Sequence, residues 1–91
     1  MNILKGDHKF YIGEDETNPI AQITYKDKDE HTIIADHTYV SESLRGQGVA
    51  GKLFDKLIEY AEEENKKIVP ECSYVKVKLQ RSPQLKHLIS E

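Results

Sequence analysis

Leu44-Arg45-Gly46-Gln47-Gly48-Val49-Ala50-Gly51-Lys52 places three glycines within six residues, directly ahead of the most regular amphipathic stretch in the chain. Glycine loses more conformational freedom on folding than any other residue. A cluster this dense therefore marks either a backbone conformation that other residues resist or a close approach to the main chain. The second alternative has a chemical form, because converging N–H groups and the positive end of a helix dipole make a cradle for phosphate. A tight strand-to-helix turn without a ligand is the plain alternative.

Downstream of the loop, from Val49 onward, Ala50, Leu53, Phe54, Leu57, Ile58 and Ala61 recur at i, i+3, i+4 spacing. Lys52, Lys56, Glu59, Glu62 and Glu63 fall on the opposite side. This pattern predicts a helix with one core-facing stripe. Lys66 and Lys67 suit the negative end of its dipole, and Ile68-Val69 before Pro70 predicts a short strand. Upstream, His8–Gly13 sets Phe10 and Ile12 against Lys9 and Tyr11, and Ile20–Lys26 sets Ala21, Ile23 and Tyr25 on one face. His31–Val40 is rich in the β-branched and aromatic residues that suit a pleated surface. Glu14–Pro19 and the charged run Lys26–Glu30 read as turns, so the three strands form an antiparallel meander. The helix then carries the chain back to Ile68-Val69, parallel to the third strand.

The final segment admits two readings. Val75, Val77 and Leu79 alternate with lysines as in a strand, whereas Ser73 as N-cap and Pro83 as stop suit a helix over Ser73 to Arg81, which is the expectation adopted. Leu85, Leu88 and Ile89 would pack a last turn on the core. The fold class is α/β, more strictly α+β: a meander, a β-loop-α-β crossover and a C-terminal helix.

Ninety-one residues with 37% hydrophobic and 32% charged content describe one globular domain, residues 1–91. Thirteen basic against sixteen acidic residues leave a net charge of −3, which does not concentrate the chain on nucleic acid or an anionic membrane. An aromatic content of 8% without Trp offers no stacking platform for RNA. No apolar run of signal-peptide or membrane-span length occurs, so a cytoplasmic protein is expected. The single cysteine, Cys72, has no partner for an internal disulfide or a CxxC motif. His8, His31, His37 and His87 lack helical HxxxH spacing, so no metal site is expected.

Three phosphate motifs overlap on the loop. Gly46-x-Gly48-x-x-Gly51 matches the dinucleotide fingerprint, with Glu71 at the spacing of a ribose-binding acid. Antiparallel strands before the loop and only twenty residues after Glu71 speak against that sheet. Gly46-x-x-x-x-Gly51-Lys52 matches most of a Walker A loop, but Leu53 stands where the magnesium-binding hydroxyl belongs. Arg45-x-x-Gly48-x-Ala50 resembles the Q/R-x-x-G-x-G/A loop of the GCN5-related N-acetyltransferase (GNAT) superfamily. The order of strands, loop, helix, strand and helix agrees with the central part of that fold. Thr38-x-Val40 and Pro70-x-Cys72 are similar to a pattern of its short single-domain members, so a shortened GNAT fold is implied.

That resemblance implies acetyl-CoA or coenzyme A as the cofactor and an amine, small-molecule or peptide, as acceptor. Backbone groups around Tyr39, Val40 and Ser41 would guide the pantetheine arm. Arg45, Gly46, Gln47, Gly48, Val49, Ala50 and Gly51 would frame the pyrophosphate, with Arg45 or Lys52 adding charge. Tyr74 would protonate the departing thiolate, as a tyrosine of this helix often does in the superfamily, with a half-buried packing aromatic as its plain alternative. Cys72, at the start of the predicted last helix, occupies a position that suits a reactive thiol able to accept the acyl group or to form a mixed disulfide. An inert core thiol is its plain alternative. His37 could serve as base, since imidazole exchanges protons near neutral pH. GNAT domains continue into further strands that help to form the acceptor site, and the sequence stops before them, so no acceptor pocket is predicted. The open sheet edge would suit a homodimer. A non-catalytic CoA-binding or thiol-redox module built on Cys72 is the competing function.

Overall fold

Alternating apolar residues build one sheet, and the helical stripe closes it. The computed structural model describes residues 2–90. Five strands, β1 (Leu4–Gly6), β2 (Lys9–Ile12), β3 (Ala21–Asp29), β4 (Thr32–Val40) and β5 (Lys67–Pro70), lie side by side in sequence order. Each of the first four runs antiparallel to its neighbour, and β5 runs parallel to β4. Helix α1 (Val49–Glu63) makes the crossover between β4 and β5, and helix α2 (Ser73–Gln80) follows β5. Short 3-10 turns occupy Glu42–Leu44 and Pro83–Leu88.

The core lies between α1 and the sheet. Val49, Leu53, Phe54, Leu57, Ile58 and Ala61 of α1 are buried, as are Ala21, Ile23 and Tyr25 of β3. The predicted helical stripe and the predicted inward face of the second strand are therefore the faces that pack. Val75 and Leu79 of α2 and Leu88 beyond it complete the same core. A final bridge between Ile89 and Ile68 extends the sheet past β5.

Four boundaries differ from expectation. The sequence gives no sign of β1, because it has only three residues and Leu4 is exposed. Lys26–Asp29 continues β3 rather than turning, since these residues pair with Thr32–Ile34 while their side chains reach water. Lys67 opens β5 rather than serving the end of α1. Cys72, not Ser73, holds the cap position of α2, and Ser73 is the first helical residue.

One irregularity decides which side chains meet the helices. Thr24 faces His37 and Tyr25 faces Ala35, so Asp36 has no residue opposite it. This bulge resets the pleat. Thr38 and Val40 stand opposite Ile23 and Ala21 and share their inward face, whereas His37 and Tyr39 stand opposite Thr24 and Gln22 on the outer face. Asp36 is held by Thr24, whose Oγ1 donates to its Oδ1 at 2.5 Å, and by Lys26 at 3.9 Å.

Candidate functional site

Strand β5 pairs with β4 only from Thr32 to Ala35. At that point the N–H groups of Glu71 and Cys72 both donate to the Ala35 carbonyl, at 3.0 and 2.9 Å, and the chain turns into α2. Past Ala35 no strand among the described residues pairs with that edge of β4. The Ser41 N–H donates to the Ile20 carbonyl at 2.8 Å, and alternation from that bond directs the main chain of Tyr39 and His37 toward β3. The N–H and C=O groups of Thr38 and Val40 therefore face the open edge. Arg45 Nε takes up the Val40 carbonyl at 3.3 Å.

The glycine loop adjoins this edge. Gly46 and Gly48 have φ of 83° and 72°, in the left-handed region that side chains disfavour. A Cβ at either position would meet nothing within 4 Å, so both glycines are needed for backbone direction and leave the loop surface bare. Gly48 caps α1 without a side-chain hydrogen bond, which leaves the first-turn N–H groups unanswered by any side chain. At Gly51, which has no unusual φ, a Cβ would stand 3.8 Å from the Tyr74 hydroxyl.

A groove of about 360 Å³ joins these parts, running from Val40 along Arg45, Gly46 and Gly48–Gly51 to Tyr74. The sequence reading missed two of its walls, Leu44 and Lys78. Lys78 follows Tyr74 by four residues and so shares its helix face, a spacing that could have flagged it. Its Nζ lies 5.4 Å from the Phe54 ring centre, and Phe54 meets Tyr74 edge-on at 6.5 Å. Burial foremost, with the nearby Asp55 carboxylate, raises the Tyr74 phenol above its ordinary value of 10. The phenol therefore keeps its proton at neutral pH.

Other expected residues lie elsewhere. Gln47 is exposed and donates from Nε2 to the Ser43 carbonyl at 3.3 Å, and Lys52 is exposed on α1 outside the groove. Ser41 pairs its hydroxyl with Ser43 at 3.1 Å. The Tyr39 ring, 41% exposed, and the His37 ring are on the outer face of the sheet, so the structure does not bring His37 to Tyr74 or Cys72. Cys72 is half-buried, with Sγ 3.4 Å from Thr38 Oγ1. Among the described residues, no cluster of three His, Cys, Asp or Glu could hold a metal, and no helix is long and apolar enough to cross a membrane.

Comparison with known proteins is consistent with this geometry. The family model for GCN5-related N-acetyl-transferase matches residues 9–88. A GCN5-like protein from Staphylococcus aureus, solved by NMR, is 43% identical and gives a TM-score of 0.81 over 98% of this chain and 87% of that one. A GNAT family acetyltransferase from Elizabethkingia anophelis with acetyl-CoA bound is 19% identical, with a TM-score of 0.58 over 80% of this chain and 50% of that one. Tetrahymena GCN5 is 14% identical, with a TM-score of 0.60 over 91% and 60%. These last two establish a shared fold. No curated protein matches the chain.

Proposed function

This chain belongs to the GCN5-related N-acetyltransferase family, and from that premise we propose that it transfers an acetyl group from acetyl-CoA to an amine. The observation that carries the reading is the glycine-turned start of α1, which has no side-chain cap, opening onto the edge of β4 that no strand pairs beyond Ala35. A coenzyme A thioester needs anion donors at one end and an extended hydrogen-bonding track at the other. The residues present fit both needs. An acetyltransferase of the same fold carries acetyl-CoA, which supports the choice of ligand.

When bound, acetyl-CoA supplies the activated acyl group. The first-turn N–H groups of α1 would hold the pyrophosphate at the positive end of the helix dipole, with Arg45 and Lys78 as the cations of the groove. The main chain of Thr38 and Val40 takes an extended arm as a sheet edge takes a peptide. Tyr74 holds its proton on Oη beside Gly51 and would supply it to a departing thiolate there. His37 has no part in this reading, because its ring lies across the sheet.

Isothermal titration with acetyl-CoA, followed by an assay of thiol release over a panel of amines, tests the proposal. Binding of acetyl-CoA and amine-dependent thiol release are expected. Absence of binding would overturn the reading.

A further inference from the structure

The groove ends at Val40 and Tyr74 rather than continuing between β4 and the chain that leaves β5. One pleat beyond Val40, Thr38 presents its side chain on the same inward face. There it meets Cys72, with Oγ1 and Sγ 3.4 Å apart. Two atoms at that separation leave no room for a methylene between them. The wall they form cannot easily retreat. Ile23, opposite Thr38, and Ala35, whose carbonyl takes the Cys72 N–H, are both 0% exposed, and such close-packed neighbours resist displacement.

We propose that Thr38 and Cys72 together limit the length of the acyl group, so that the site takes an acetyl thioester and rejects propionyl and longer ones. The inference rests on the acyl-transfer reading above. The arm enters along β4 from the glycine loop, and its reactive end points toward this wall. An acetyl group stops short of it, whereas each further carbon is driven into the Thr38 side chain or Cys72 Sγ. A single methylene in a fitted pocket changes affinity by about 10- to 200-fold.

The test is titration of the full chain with acetyl-CoA, propionyl-CoA and butyryl-CoA, for wild type and for Thr38→Ala, Thr38→Val and Cys72→Ala. Wild type should prefer acetyl over butyryl by about tenfold or more. Thr38→Ala and Cys72→Ala should each narrow that ratio by about the factor that one methylene is worth. Thr38→Val keeps the shape without the hydroxyl and should keep the preference. Should Thr38→Ala fail to fold, Thr38→Ser trims the same methyl group and reads the same wall. A wild type indifferent to chain length, or a ratio unchanged in both alanine variants while acetyl-CoA still binds, would overturn the length limit and leave the acyl-transfer reading standing. Loss of the preference in Thr38→Val would also overturn it, because shape would then not be the cause. If wild type bound none of the thioesters, the acyl-transfer reading itself would fall, and the length limit with it.

Discussion

The two halves of β4 share a direction and a neighbour but differ in what they do. From Thr32 to Ala35 both edges are paired, with β3 on one side and β5 on the other, and Ile33 and Ala35 are fully buried. From Thr38 to Val40 only the β3 edge is paired. Two small departures separate the halves: Asp36 has no residue opposite it, and the chain leaves β5 at Pro70. The closed half can bond only to its own sheet. The open half retains the strand's rigidity while its outer edge pairs with no strand, the Val40 carbonyl being met only by the Arg45 side chain.

The largest expected effect falls on the closed half. Ile33→Ala removes a fully buried side chain and should cost about 2–5 kcal/mol, enough to unfold much of so small a domain, as urea denaturation would show. Next, across the groove from the open half, Tyr74→Phe on α2 should lower the turnover rate by about 100-fold or more while leaving the urea midpoint nearly unchanged. Because burial raises the phenol above its ordinary value of 10, the loss of this donor in a pH–activity profile should lie on the alkaline side of pH 10, with none near neutral pH.

The glycines sharpen the contrast at smaller scale. Gly48→Ala forces a side chain to φ 72° and should cost about 1 kcal/mol along with weaker acetyl-CoA binding. Gly51→Ala, in ordinary helix with only van der Waals contact to Tyr74, should instead stabilise α1 by about 0.5–1 kcal/mol while its methyl narrows the groove. Paired measurements of thermal midpoint and affinity check both.

The smallest effect is a matter of pH. His8 bonds Asp27 and Asp7 at 2.8 Å each, and these carboxylates, Asp27 foremost, raise its imidazole above 6.5. Asp27, opposite Ile33 in the closed half, is lowered below 3.8 chiefly by His8. The His8 contribution is complete below pH 6.5 and fades as pH rises through the raised value, whereas that of Asp27 is complete above 3.8 and fades as pH falls through its lowered value. Thermal melts of wild type and His8→Asn should therefore differ most between those limits and converge at alkaline pH, with acetyl-CoA affinity alike in both. Both side chains are about half exposed, so solvent keeps the difference small.

The core between the sheet and α1 was the most legible part in sequence. Ala21, Ile23 and Tyr25 alternate cleanly, and the stripe from Val49 to Ala61 fits the helical period, because continuous burial imposes continuous periodicity. Lys26–Asp29 escaped that logic, since strand pairing there depends on the main chain while charged side chains reach water. In the open half the glycines stand out because φ near 72–83° demands them. The bulge at Asp36 leaves no mark in residue type. Its effect, turning Thr38 inward and His37 outward, depends on register, and register lies in the pairing of distant residues rather than in the strand's own pattern. Lys78 was hidden for a similar reason, because its position in the groove follows from how α2 packs on Phe54.

The claim that β4 divides into a structural half and a binding half is tested most directly by an amide NMR titration of the ¹⁵N-labelled chain with acetyl-CoA. Saturable shifts should appear at Thr38, Val40 and Gly46–Gly51, while Thr32–Ala35 remain still. Shifts centred on Thr32–Ala35, or none at all, would contradict it.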